Sequence, residues 1–114
     1  MRLKIIDSPI PAVIANGVLA AGSACSFRVA VFHAFSPGER SLALDLTNVH
    51  YVDSDGLRAI CGVHRLVRFR GGILGIALKH GALRDLVRTC GLGYQPEVEI
   101  FDSFDECAER LRSA

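Results

Sequence analysis

The sequence predicts an α/β fold: one domain, residues 1–114, on a mixed, mostly parallel β-sheet of about five strands with about four helices packed against it. Three observations carry this expectation. From Ser41 onward, strand-like and helix-like stretches alternate as β-α-β-α-β-α, which implies right-handed crossovers between parallel strands. The stretch SLALDL, Ser41–Leu46, is apolar except for Asp45, the pattern of a strand covered on both faces. Finally, 114 residues, 50% of them hydrophobic, make one modest core and not two.

Leu3–Asp7 reads as the first strand, ended by Ser8-Pro9. Ala12–Leu19 is the second, with Asn16-Gly17 marking a bulge or bend, and the two can pair as a ribbon. Ser23–Phe35 reads as a helix in which Phe27, Val31 and Ala34 share a face and Ser23 or Ser26 caps the start. The β-branched Val29 and Val31 keep a strand open as an alternative there. Ser36-Pro37-Gly38 is a stop, and the strand Ser41–Leu46 follows. Thr47–Asp53 is expected to be a loop. From Asp55 to Phe69, Leu57, Ile60, Cys61, His64 and Val67 repeat at helical spacing, with Arg58, Arg65 and Arg68 to the other side and Gly71-Gly72 beyond the end. Ile73–Leu78 is a strand. Ala82–Cys90 is a short helix with Leu83, Leu86, Val87 and Cys90 inward. Glu97–Phe101 is the last strand, and Ser103 with Glu106 forms a capping box for a final helix whose stripe is Phe104, Cys107, Ala108 and Leu111.

Composition narrows the function. A net charge of +1 gives no global attraction to nucleic acid or to an anionic membrane. The arginines from Arg58 to Arg70 lie along one helix without interleaved aromatic residues toward solvent, so no nucleic-acid partner is expected. No apolar run is long enough to span a bilayer. Ile10–Ala24 is apolar but broken by Pro11, Asn16 and Gly17, so no secretion signal or membrane insertion is expected, and the location read from this is cytoplasmic. Cys25, Cys61, Cys90 and Cys107 lack C-x-x-C spacing and a completing histidine, so neither a metal nor a disulfide framework is expected. Cys61, Cys90 and Cys107 read as buried free thiols on helix faces. Gly71-Gly72 and Gly91-x-Gly93 match no phosphate-binding loop, and no cofactor is expected.

The chemistry concentrates at Asp53-Ser54-Asp55-Gly56, where the chain enters a helix beyond the C-terminal end of a strand, the edge at which open α/β sheets carry their sites. One reading is a helix cap: Ser54 or Asp53 accepts from the first amides, and Asp55 favours the positive end of the dipole. The other is a phosphorylation site. A phosphate on Ser54 would meet helix amides and add roughly −1.5 to −2 charge beside two carboxylates, changing the sign of a docking surface while leaving the fold alone. Arg58 lies within reach of both Asp55 and Ser54. A serine hydrolase is the enzymatic alternative, with His50 the nearest imidazole in sequence. It is disfavoured because the motif is not a nucleophile elbow and the flanking carboxylates oppose an alkoxide.

The segments Leu42-Ala-Leu-Asp-Leu46, Val52-Asp-Ser-Asp-Gly-Leu57, Arg70-Gly-Gly72 with its following strand, and Leu86-Val-Arg-Thr-Cys-Gly-Leu92 together resemble the STAS domain, and more narrowly the bacterial anti-sigma factor antagonists. The resemblance covers Ser41 to the C-terminus well and the front third poorly. It implies a non-enzymatic domain that binds an anti-sigma factor that is also a serine kinase. That kinase phosphorylates the serine after the motif's aspartate and so ends the binding, and a phosphatase restores it. Carried over, Ser54 is the acceptor, Asp53 orients it, and Gly56 and Leu57 set the helix entry. Asn48, His50, Asp55 and Arg58 complete the expected partner surface, near Cys61. Three positions depart from the family pattern: Ala20 where an aspartate is frequent after G-x-L, Asp55 after the acceptor, and Arg58 where a small residue is common. They imply a divergent member with its own partner. A STAS subunit of a transporter or signalling complex, with an unmodified serine, is the alternative. An apolar front strand also leaves a homodimer open.

Overall fold

A computed structural model describes residues 1–7 and 10–113. The expected strand end at Ser8-Pro9 lies outside the described residues. The elements are β1 (Arg2–Ile6), β2 (Ala12–Leu19), α1 (Ala21–Ala34), β3 (Leu42–Val52), α2 (Ser54–Phe69), β4 (Leu74–Ala77), α3 (Ala82–Thr89), a 3-10 turn at Leu92–Tyr94, β5 (Val98–Phe101) and α4 (Phe104–Arg112). The sheet runs β1-β2-β3-β4-β5. β1 is antiparallel to β2, with Leu3 opposite Ala15, and every other pair is parallel.

The two sheet faces are unequally covered. Leu42, Leu44 and Leu46 of β3 and Leu74 and Ile76 of β4 join Phe27 and Val31 of α1, Ile60 and Val67 of α2, and Val87 of α3 in the main core. On the opposite face, Ala12 and Ala43 meet Cys107 and Leu111 of α4 in a small second cluster. Both faces of β3 are therefore buried along its first half, which is why its sequence there is almost continuously apolar. Asp45 interrupts that run at 8% exposure. It is satisfied locally: its Oδ1 accepts from the Thr47 amide at 3.0 Å and the Thr47 hydroxyl at 2.6 Å.

Segment 21–34 is a helix, not the strand that its valines left open. It begins two residues before Ser23, and Ser23 serves it from inside the first turn: its Oγ accepts from the Ala20 amide at 3.1 Å and donates to the Val18 carbonyl at 2.6 Å. At the other end, Arg70 holds the α1 terminus to α2. Its Nη1 donates to the carbonyls of Phe35, Ser36 and Glu39 at 3.1, 2.9 and 3.2 Å, and its guanidinium lies 4.1 Å from the Phe35 ring centroid.

Three sequence expectations are corrected. Thr47–Val52 is not loop but the second half of β3, which runs on beside β2 with Asn16 opposite Asn48 and Leu19 opposite Val52. Register shifts there let Leu46 and Val49 both face the main core, so the alternation that betrays a strand is lost. In α3 the buried residues are Arg84 and Val87, while Leu86 and Cys90 are exposed. Arg84 can sit inward because its Nη1 donates to the Leu78 carbonyl at 3.2 Å and to the Asp102 carboxylate. Of the cysteines, all free, Cys107 is buried and Cys61 half-buried, but Cys90 is exposed. Burial pushes the Cys107 thiol up to about 12, with the charges of Asp45 and Glu99 adding to it, so it stays a protonated core residue.

Candidate functional site

The N-termini of α1 and α2 meet at the ends of β2 and β3, and Asp53 joins them. It is the N-cap of α2 in extended backbone, and its Oδ1 accepts from the Gly56 amide at 2.8 Å. Its Oδ2 accepts from the Ala21 amide at 3.1 Å, in the first turn of α1. Its own amide donates to the Leu19 carbonyl at 3.2 Å. One carboxylate thus serves two helix starts that are 32 positions apart in sequence. The Gly56 bond, then that of Ala21, holds its pKa below the ordinary value of 3.8 against the opposing effect of burial.

Gly56 is where this arrangement closes. A Cβ built there would lie 2.1 Å from the Leu19 carbonyl oxygen, so the α2 backbone approaches β2 as only glycine permits. Ser54, the first residue of α2, is held outward by these fixed neighbours. It is exposed, and among the described residues its hydroxyl makes no hydrogen bond. Asp55 and Arg58 pair across one turn at 2.9 Å, with side chains 44% and 74% exposed. Such a pair contributes little to stability.

Of the six expected residues from Asp53 to Arg58, Ser54 and Arg58 are exposed and Asp53, Asp55 and Leu57 half-buried, whereas Gly56 is buried against β2 and forms no part of the surface. Asn48 and His50 are exposed, but they stand on β3 and not on a loop. His50 lines a separate recess of about 240 Å³ with Leu46, Val49 and the turn from Leu78 to Leu83. No hydrogen bond among the described residues brings an imidazole to Ser54. His64 is 2.6 Å from Glu97, and His80 is 3.1 Å from Asp102. The roles of Ala21 and Leu19 in building the site were invisible in sequence, because they are backbone contacts from the front third of the chain.

Acid should expose the carboxylates that hold these junctions. The His64 bond lowers the pKa of Glu97, and the Arg84 bond lowers that of Asp102, as the Gly56 amide does for Asp53. Each group releases its proton more readily folded than unfolded, so each adds stability above the ordinary carboxylate range. That stability is lost as pH falls through the lowered folded values. Urea midpoints should rise between pH 3 and 5 and then flatten, to the extent set by these carboxylates. Asp53→Asn should make the rise shallower. An unchanged slope would remove Asp53 from this account.

A five-stranded mixed sheet with three helices on one face and one on the other, among the described residues, defines a small α/β domain, with an exposed serine at the junction of two helix N-termini. The chain belongs to the STAS domain family, whose model matches residues 4–107, including the front third that the motif resemblance covered poorly. Among solved structures it is similar to an anti-sigma factor antagonist from Mycobacterium paratuberculosis, with 18% identity, a TM-score of 0.84, and coverage of 97% of this chain and 93% of that one. It is similar to the Bacillus cell fate determinant SpoIIAA in its phosphorylated form, at 18% identity and a TM-score of 0.67 over 96% of each chain. It is also similar to a sulfate transporter family protein from Wolinella succinogenes, at 19% identity and a TM-score of 0.66, covering 90% of this chain and 87% of that one. At these identities the likeness speaks to the fold. No curated protein matches the chain by sequence. No helix among the described residues is long and apolar enough to cross a membrane.

Proposed function

We propose that this STAS domain is an anti-sigma factor antagonist. It works by binding an anti-sigma factor that is also a serine kinase, and phosphorylation of Ser54 switches it off. The observation that carries this reading is the exposed Ser54 hydroxyl at the start of α2, between two carboxylates and on a backbone locked by Asp53 and Gly56. Phosphorylation there adds charge without a packing cost. The helix amides favour the new charge locally, while Asp53 and Asp55 compound it toward a partner. Asn48, His50, Asp55, Leu57 and Arg58 are the proposed contacts around it, with Gly56 fixing the backbone beneath them. The domain acts in the cytoplasm, without catalysis of its own, and a phosphatase returns it to the binding state. The phosphorylated form of its structural neighbour SpoIIAA supports modification on this fold.

The similarity to a sulfate transporter family protein favours one other reading, a STAS subunit of a membrane transporter whose serine is never modified. Recovery of the protein from its own cells separates the two. Phosphopeptides spanning residues 53–58 are mapped by mass spectrometry, and co-purifying chains are identified. The expected result is phosphate on a fraction of Ser54, with a serine kinase co-purifying on the unmodified fraction. An unmodified Ser54 across growth conditions, with a transporter bound, would replace the antagonist reading with the subunit reading.

A further inference from the structure

We infer that the groove between α1 and α2 is a second docking site, shaped for an acidic amphipathic helix of a protein partner. It lies two turns along α2 from Ser54 and does not depend on that residue's modification. The groove encloses about 180 Å³ and is lined by Val31, Phe32, Ala59, Gly62, Val63 and Leu66, with Arg28 at its edge. Its apolar rim extends beyond the cavity: Phe32 is 77% exposed and Phe69 90%. Gly62, Leu66 and Phe69 follow one another at i, i+4 and i+7 along α2, and the first two line the groove together with Arg28 and Phe32 of α1.

Two observations select the occupant. Two arginines flank the groove with no ion pair among the described residues: Arg28 lines it, and the guanidinium of Arg65 reaches to 3.8 Å from where a Cβ on Gly62 would sit. The other arginines of α2 are engaged, Arg58 with Asp55 at 2.9 Å and Arg68 with Glu97 at 4.0 Å. The charge complement of this rim is acidic, and the apolar stripe at helical spacing is read by an opposing helix with anchors at i, i+4 and i+7. The second observation is Gly62 itself. A Cβ there would meet nothing closer than the mobile end of Arg65 at 3.8 Å, so no internal contact requires glycine. Glycine in a helix interior is destabilising relative to alanine. Its presence at the groove floor keeps open a space that the domain's own packing does not use.

The probe is a synthetic 14-residue helical peptide with leucines at i, i+4 and i+7 and glutamates on the flanking positions. It is titrated into the whole unphosphorylated protein while backbone amide resonances are recorded. Saturable shifts at Arg28, Phe32, Gly62 and Leu66 are expected, together with at least a tenfold loss of affinity when the glutamates are replaced by lysines. Gly62→Leu should abolish the shifts without lowering Tm, and Arg28→Glu with Arg65→Glu should reverse the peptide preference. Equal affinity for the two peptides, or shifts centred elsewhere, would overturn the proposal. So would groove resonances that move on simple dilution, since the occupant would then be a second copy of this chain. No kinase enters the assay, so its failure leaves the Ser54 reading standing, and an unmodified Ser54 in cells leaves the groove standing.

Discussion

Gly56→Ala should cost the domain about 3 kcal/mol, a large share of the stability of a chain this size. The added methyl would sit 2.1 Å from the Leu19 oxygen, 2.8 Å from the Leu19 carbonyl carbon and 3.0 Å from Val52 Cγ1. Two of these are backbone atoms at the end of β2, which pairs with β3 immediately beside them. They cannot yield as a side chain would, so the first turn of α2 must lift away. Lifting it strains the Gly56–Asp53 bond and, through the same carboxylate, the Asp53–Ala21 bond that ties α1 to the junction. At roughly 4–8 °C per kcal/mol for a domain of this order, Tm should fall by roughly 12–24 °C. Gly62→Ala is the control in the same helix. It removes the interior-glycine penalty with no clash and should raise stability by about 0.5–1 kcal/mol. Thermal melts of both variants check the pair. A Gly56→Ala protein as stable as wild type would mean that the close approach of α2 to β2 is not what fixes the site.

The same junction separates what the sequence reveals from what it hides. The helix entry at Asp53, Ser54 and Gly56 was legible because a capping carboxylate, a hydroxyl and a glycine sit within four positions of one another. The closing contacts with Leu19 and Ala21 were not, because they fall on the backbone of residues more than thirty positions away. Likewise α2 and α4 announce themselves through an apolar stripe at helical spacing. The second half of β3 does not, since its register shifts put Leu46 and Val49 on one face and erase the period of two. In α3, apolarity alone pointed Leu86 and Cys90 inward. The helix is instead turned by Arg84, whose partners, Leu78 and Asp102, come from the ends of neighbouring strands. The α1/α2 groove escaped for the same reason as the Asp53 bridge: Arg28 and Phe32 become neighbours of Gly62 and Leu66 only when the helices pack.

Ser54→Asp should weaken binding of the anti-sigma partner at least tenfold, about 1.4 kcal/mol, while Ser54→Ala binds as wild type and can no longer be switched off. The fold should not register either change. Ser54 is exposed and caps nothing, since the cap belongs to Asp53, and an acidic residue in the first turn suits the helix dipole. Circular dichroism and Tm of both variants should therefore match wild type, which separates lost docking from lost structure. The weakening arises from placing a third carboxylate between Asp53 and Asp55, of which only Asp55 has a side-chain cation beside it, Arg58 at 2.9 Å. A field of exposed charges is screened by salt, so the deficit of Ser54→Asp should shrink between 0.05 and 0.5 M ionic strength, as the Debye length falls from about 14 to about 4 Å. Titration calorimetry with the partner recovered from cells measures all three proteins at both salt concentrations. A Ser54→Asp protein that binds as tightly as wild type at low salt would sink the switch. A deficit that ignores salt would point to a steric contact at the hydroxyl. In that case the serine would be recognised by its shape, and phosphorylation would block docking by bulk, with charge playing no part.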